Sequence, residues 1–170
     1  SENEGYIAQY PELAYKIITS LAKREELTID GPSENITGLD LHYLLNEILK
    51  HHPEFFDVAN SLKGSAETGY TITYLLTNKT NDEIFDMRQK LARGIAHAMS
   101  WIPANGTDLE KAKAAQDFLV AHVSYDSTTF NSNKEGSWSD ADLTTYGTVL
   151  TEHDNFYPYC AYGPLVEHRS

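Results

Sequence analysis

The stretch Tyr70-Thr71-Ile72-Thr73-Tyr74-Leu75-Leu76, with the segment that opens at Thr80, sets two periodicities side by side. Tyr70, Ile72, Tyr74 and Leu76 fall on one side of an extended chain and Thr71 and Thr73 on the other, the two-residue repeat of a strand. From Thr80 the spacing changes. Ile84, Met87, Leu91, Ile95, Ala98 and Ile102 recur every three or four residues, as on one face of a helix. Thr80 supplies a capping hydroxyl, Glu83 stands three positions on to reach back, and Pro103 ends the run. A strand that gives way to a long amphipathic helix, in a chain with more helices than strands, reads as α+β: helix-rich, with a small antiparallel sheet.

Working outward, Phe55 to Val58 reads as a second strand, joined to the first by a glycine-bearing hairpin connection over Lys63 to Gly69. Leu27 to Asp30 alternates like a further short strand and meets a Gly31-Pro32 turn. A helix is expected from Pro11 to Arg24, with Leu13, Ile17 and Leu21 facing inward. Another opens at Thr37, with Asp40 as the partner in a weak capping box. Its stripe is Leu41, Leu44, Leu45, Ile48 and Leu49, and Pro53 follows its end. Downstream, Thr107 and Glu110 repeat the capping arrangement, and Leu109, Ala112, Leu119 and Val123 are expected to form a buried stripe. Ser127 to Ser139 has the composition of a long surface loop, Asp140 to Leu150 of one more short helix, and Glu152 to Pro158 has no period.

The bulk properties narrow the function classes. At 170 residues with 41% hydrophobic content the chain is long enough to bury a core. A formal charge of -12 opposes nucleic acid unless a local basic patch overcomes it. The densest basic stretch, Arg88, Lys90 and Arg93, shares its helix with Asp82, Glu83 and Asp86 and reads as a solvated face. No apolar run approaches the roughly 20 residues of a membrane span. One cysteine, Cys160, permits no internal disulfide, and the first residue is Ser1 rather than Met, which reads as a trimmed chain.

Cys160 lies in Tyr157-Pro158-Tyr159-Cys160-Ala161-Tyr162-Gly163, among aromatics in an acidic protein. That setting disfavours the thiolate, so it reads as a small hydrophobe and not as a nucleophile. His51 and His52 sit where a helix ends and favour a capping role. His97 and His122 lie inside helices with no second His or Cys at i+3 or i+4, so no metal site is assigned, and His153-Asp154 offers a base and an orienter in type only, since adjacent residues rarely point at one another. Tyr125-Asp126 reads as the turn closing a helix, and Trp138 as the surface aromatic to test for peptide or glycan binding. Three Asn-x-Thr sequons, at Asn35, Asn78 and Asn105, read as turns followed by helix caps at Thr37, Thr80 and Thr107.

Three pieces of the chain, in order, carry a resemblance. They are His52-Pro53-Glu54-Phe55-Phe56; Leu109-Glu110-Lys111-Ala112-Lys113 leading to Phe118-Leu119-Val120 and Tyr125-Asp126; and Tyr162-Gly163-Pro164-Leu165-Val166-Glu167. Together they resemble the N-terminal part of bacterial transglutaminase-like proteins, a branch of the papain-like thiol enzymes. Pro164 stands where that family commonly has a small residue, and His168-Arg169 where Gly-Lys or Gly-Arg is commoner. The resemblance implies an N-terminal α+β region over 1–104 and the start of a transglutaminase-like domain over 105–170. It implies a Cys-x-Gly-Tyr nucleophile motif within a few residues of Glu167, with the general-base His and its orienting Asp much later. None of these three catalytic positions falls within the chain, which is therefore expected to be inactive alone.

The complete protein is expected to be secreted or envelope-associated, to act on a peptide or cell-wall peptide, and to need no cofactor. The rival reading is a non-catalytic surface or interaction module. An exposed, truncated core further implies homodimerisation, swapping or a loose tail after Leu150.

Overall fold

The computed structural model describes residues 5–124 and 161–168. The expected loop at 127–139, the helix at 140–150, the tail after Leu150 up to Cys160, and Tyr125-Asp126 lie outside the described residues. The chain divides into two compact units, Ser1–Thr77 and Asn78–Ser170.

In the first unit, α1 (Tyr6–Gln9) and α2 (Pro11–Lys23) are followed by β1 (Leu27–Ile29), α3 (Gly38–His51), a 3-10 turn (Pro53–Phe55), β2 (Val58–Ser65) and β3 (Gly69–Tyr74). Pro11 starts α2, where its missing N–H costs no hydrogen bond, and Arg24 ends the helix in the left-handed region at φ 55. Thr37 caps α3 by accepting the Asp40 N–H. The three strands form one antiparallel sheet in the order β1-β3-β2. Leu27 pairs with Ile72 and Thr28 with Thr71, whose hydroxyls lie 3.0 Å apart. Leu13, Ile17 and Leu21 of α2 meet Leu41, Leu44, Leu45 and Ile48 of α3, together with Ile29, Val58 and Ile72 of the sheet, in a single buried cluster. Each such side chain contributes about 1.5–3 kcal/mol through burial, so this cluster is the main source of the unit's stability.

The strand expected at Phe55 to Val58 is instead the 3-10 turn, and β2 begins only at Val58. Pro53 fixes its own φ and has no N–H for a ladder, so the apolar pair Phe55-Phe56 fills the core from a turn. The hairpin is correspondingly tighter than expected. β2 runs on to Ser65, and Gly64 pairs with Tyr70 at a positive φ of 102. A side chain at Gly64 would strike the Gly69 carbonyl, so the turn requires glycine there.

The second unit contains α4 (Asn81–Ser100), α5 (Asp108–His122) and a π-helical turn (Gly163–Glu167). Both long helices open on reciprocal capping boxes, Thr80 with Glu83 and Thr107 with Glu110. Ile84, Met87 and Leu91 of α4 are buried as expected. Two expectations need correction. Arg88 is buried, so it does not belong to a solvated basic face, although Lys90 does pair with Asp86 at 2.9 Å. On α5 the inward face is not Leu109, Ala112, Leu119 and Val123: only Phe118 is buried, while Leu109 is 80% and Val120 79% exposed. Alanines and larger apolar residues stand on most sides of this helix, so its pattern selects no face. The bulky ring of Phe118 does.

Candidate functional site

Two of the segments that carry the resemblance, α5 and the run from Tyr162 to Glu167, belong to the second unit. Tyr162 and Gly163 are buried, and the π-helical turn lies against α4. Gly94, in the middle of α4, makes this possible. A Cβ there would run into the Leu165 carbonyl oxygen, so the missing side chain lets backbone approach backbone. Beyond the turn, His168 takes the left-handed conformation at φ 57, and its carbonyl accepts the Ser124 N–H at 2.9 Å. The chain at residue 168 is thereby tied to the residue just past the end of α5.

Four rings close the same region. Phe118 and His122, one turn apart on α5, stack at 4.5 Å with planes 18° apart. Trp101 meets His122 edge-on at 4.9 Å and Phe118 at 5.8 Å. His97, one turn before Trp101 on α4, meets the same two rings at 5.2 and 5.4 Å, nearly perpendicular to each. Because a carbonyl only accepts, the 2.9 Å contact from His122 Nδ1 to the Phe118 oxygen places a proton on Nδ1, so in the neutral ring the lone pair is on Nε2. The sequence offered neither histidine a second His or Cys at i+3 or i+4 in its own helix. Packing of α4 against α5 supplies it.

The remaining expected positions have structural roles where they are described. His52 Nδ1 lies 2.8 Å from Glu54 Oε1, and its ring stacks on Phe55. Thr37, Thr80 and Thr107, the third residues of the three sequons, are all helix N-caps. Cys160, His153, Asp154 and Trp138 lie outside the described residues. Among the described residues no group of three or more His, Cys, Asp or Glu is placed to hold a metal ion. Likewise, no described helix is long and apolar enough to cross a membrane.

Two polar features of the first unit were not anticipated. Asp57 is fully buried and accepts from Arg24 Nε at 2.9 Å, while Arg24 Nη2 donates to the Leu75 carbonyl and the guanidinium covers the Tyr74 ring. The clue in the sequence is a charged residue set directly after Phe55-Phe56, where solvent is not expected. Glu47 of α3 accepts the N–H groups of Gly5 and Ile7, acting as a cap for α1 from 40 residues away. Burial, the largest single influence, pushes its carboxyl up. The backbone donors of Gly5, Ile7 and Tyr6, with nearby His51, outweigh that and hold it below the usual carboxylate range. A shallow pocket of about 360 Å³ lies between Gly31-Pro32 and Tyr70 in this unit, open to solvent.

No family model matches the chain. No curated protein and no solved structure matches it either.

Proposed function

We propose that the chain is the N-terminal portion of a secreted or envelope-associated transglutaminase-like protein whose thioester chemistry is supplied by residues beyond Ser170. One observation carries the reading. The segment Tyr162 to Glu167, which resembles the family's approach to its nucleophile, packs on α4 at Gly94 with Tyr162 and Gly163 buried, and the carbonyl of His168, just after it, accepts the N–H of Ser124 past the end of α5. A scaffold that delivers a nucleophile needs a fixed approach of this kind, because reacting groups must be held in place for attack. The exposed Leu109, Leu119 and Val120 on α5 add support, since a catalytic region packed there would cover them.

In the complete protein a cysteine at the first turn of a helix, beside an imidazole, is held as thiolate by the helix dipole and the neighbouring cation. Its sulfur attacks the carbonyl carbon of a peptide or glutamine amide. The C–N bond breaks as the imidazolium passes its proton to the departing nitrogen, and a thioester remains. Water or an amine then attacks the thioester and regenerates the thiolate. The first acceptor gives hydrolysis, the second transamidation.

Reading the gene past the codon for Ser170 tests the proposal. A Cys-x-Gly-Tyr motif within a few residues, followed much later by His and Asp, is the expected result. A stop codon, or Ser in place of Cys, would overturn it in favour of a non-catalytic interaction module.

A further inference from the structure

We propose that His97 of α4 and His122 of α5 form a two-imidazole site for a borderline transition-metal dication such as Zn(II) or Ni(II), with water completing the coordination. The two ring centres lie 5.2 Å apart with planes at 89°. Two imidazoles bound to one tetrahedral ion, at metal–nitrogen distances of about 2.0–2.1 Å, have ring centres about 5 Å apart. The observed separation of the ring centres falls in that range.

The ring state is also suitable. His122 donates Nδ1–H to the Phe118 carbonyl, which fixes the tautomer and leaves Nε2 to coordinate. A backbone carbonyl is a usual outer partner of a metal-bound histidine, orienting the ring and raising its basicity. His97 is exposed, so an ion reaches the pair from solvent, and Phe118 and Trp101 limit how far His122 can turn. The chain's charge of -12 favours a dication over an anion. Neutral nitrogen donors favour the zinc, nickel and copper group over magnesium or calcium, which take oxygen.

Trp101, 4.9 Å from His122, is a built-in reporter. In the 170-residue chain carrying Trp138→Phe, titration with NiCl2 is expected to quench Trp101 fluorescence in a saturable way, with a midpoint below about 100 µM. His97→Asn and His122→Asn are each expected to raise that midpoint at least about tenfold. A His51→Asn, His52→Asn double variant is expected to leave it unchanged. EDTA is expected to restore the signal. Quenching that does not saturate, or a midpoint that His97→Asn leaves where it was, would overturn the proposal. His97 is exposed, so that variant alone decides the matter if His122→Asn loses its helical circular dichroism.

Discussion

The two units of this chain keep their elements in place by different means. In the first, residues far apart in sequence are joined by buried polar groups: Arg24 to Asp57 and Leu75, and Glu47 to the start of α1. In the second, the described helices are set at their starts by local capping boxes, and their later turns meet through rings and one glycine contact. The first unit also buries its large apolar residues in a shared cluster, whereas α5 leaves Leu109 and Val120 in solvent. The first unit is thus held by contacts between residues distant in sequence, while α5 keeps large apolar side chains exposed.

The largest expected effect tests the polar side of that contrast. Asp57→Ala leaves the Arg24 guanidinium buried without its carboxylate and is expected to cost about 3–5 kcal/mol, measured by urea unfolding. A loss below 1 kcal/mol would show that the first unit depends on its apolar cluster alone.

Next is Glu47→Gln, expected to cost about 1–3 kcal/mol because backbone donors lose a charged acceptor. The pH dependence has a definite sign. A carboxyl held below its ordinary value of 4.5 contributes stability that is complete above that value and is lost as pH falls through the lower, folded value. The native chain should therefore lose stability in that acid range more steeply than Glu47→Gln. Parallel stability curves for the two chains would contradict the capping role.

Gly94→Ala discriminates through its sign. As a helix substitution alone it would stabilise by about 1 kcal/mol. Because a methyl group there meets the Leu165 carbonyl, the expected outcome is release of the turn, seen as faster amide exchange over 162–168 without loss of α4. Slower exchange would mean that the segment is not seated by Gly94. The smallest effect is expected for Val120→Gln, within about 0.5 kcal/mol of the parent in this chain. A larger loss would show that Val120 is already covered.

How much of this was readable from residues alone follows the range of the interactions. α2, α3 and α4 were legible because apolar spacing, Pro11 and the capping threonines act within a few positions of one another. β1 and β3 were legible for the same reason, through alternation. Phe55-Phe56 was misread as strand because an apolar run has no direction until Pro53 and the buried Asp57 turn it. The inward face of α5 was misread because its apolar residues surround the helix. The Arg24–Asp57 pair, the Glu47 cap and the meeting of His97 with His122 join positions that no local pattern relates, so only the packed chain brings them together. The resemblance that motivates the proposed chemistry rests on short runs of sequence, whereas the seating of Tyr162 to Glu167 on α4 at Gly94 is a matter of packing that those runs do not encode.

The most direct measurement compares turnover of a glutamine- or peptide-amide substrate by this 170-residue chain with turnover by the chain extended through the rest of its reading frame. No turnover is expected from the first, with or without Cys160→Ser, and the second is expected to show turnover that disappears when the cysteine proposed after Ser170 is replaced. Turnover by the 170-residue chain that Cys160→Ser abolishes would contradict the proposal.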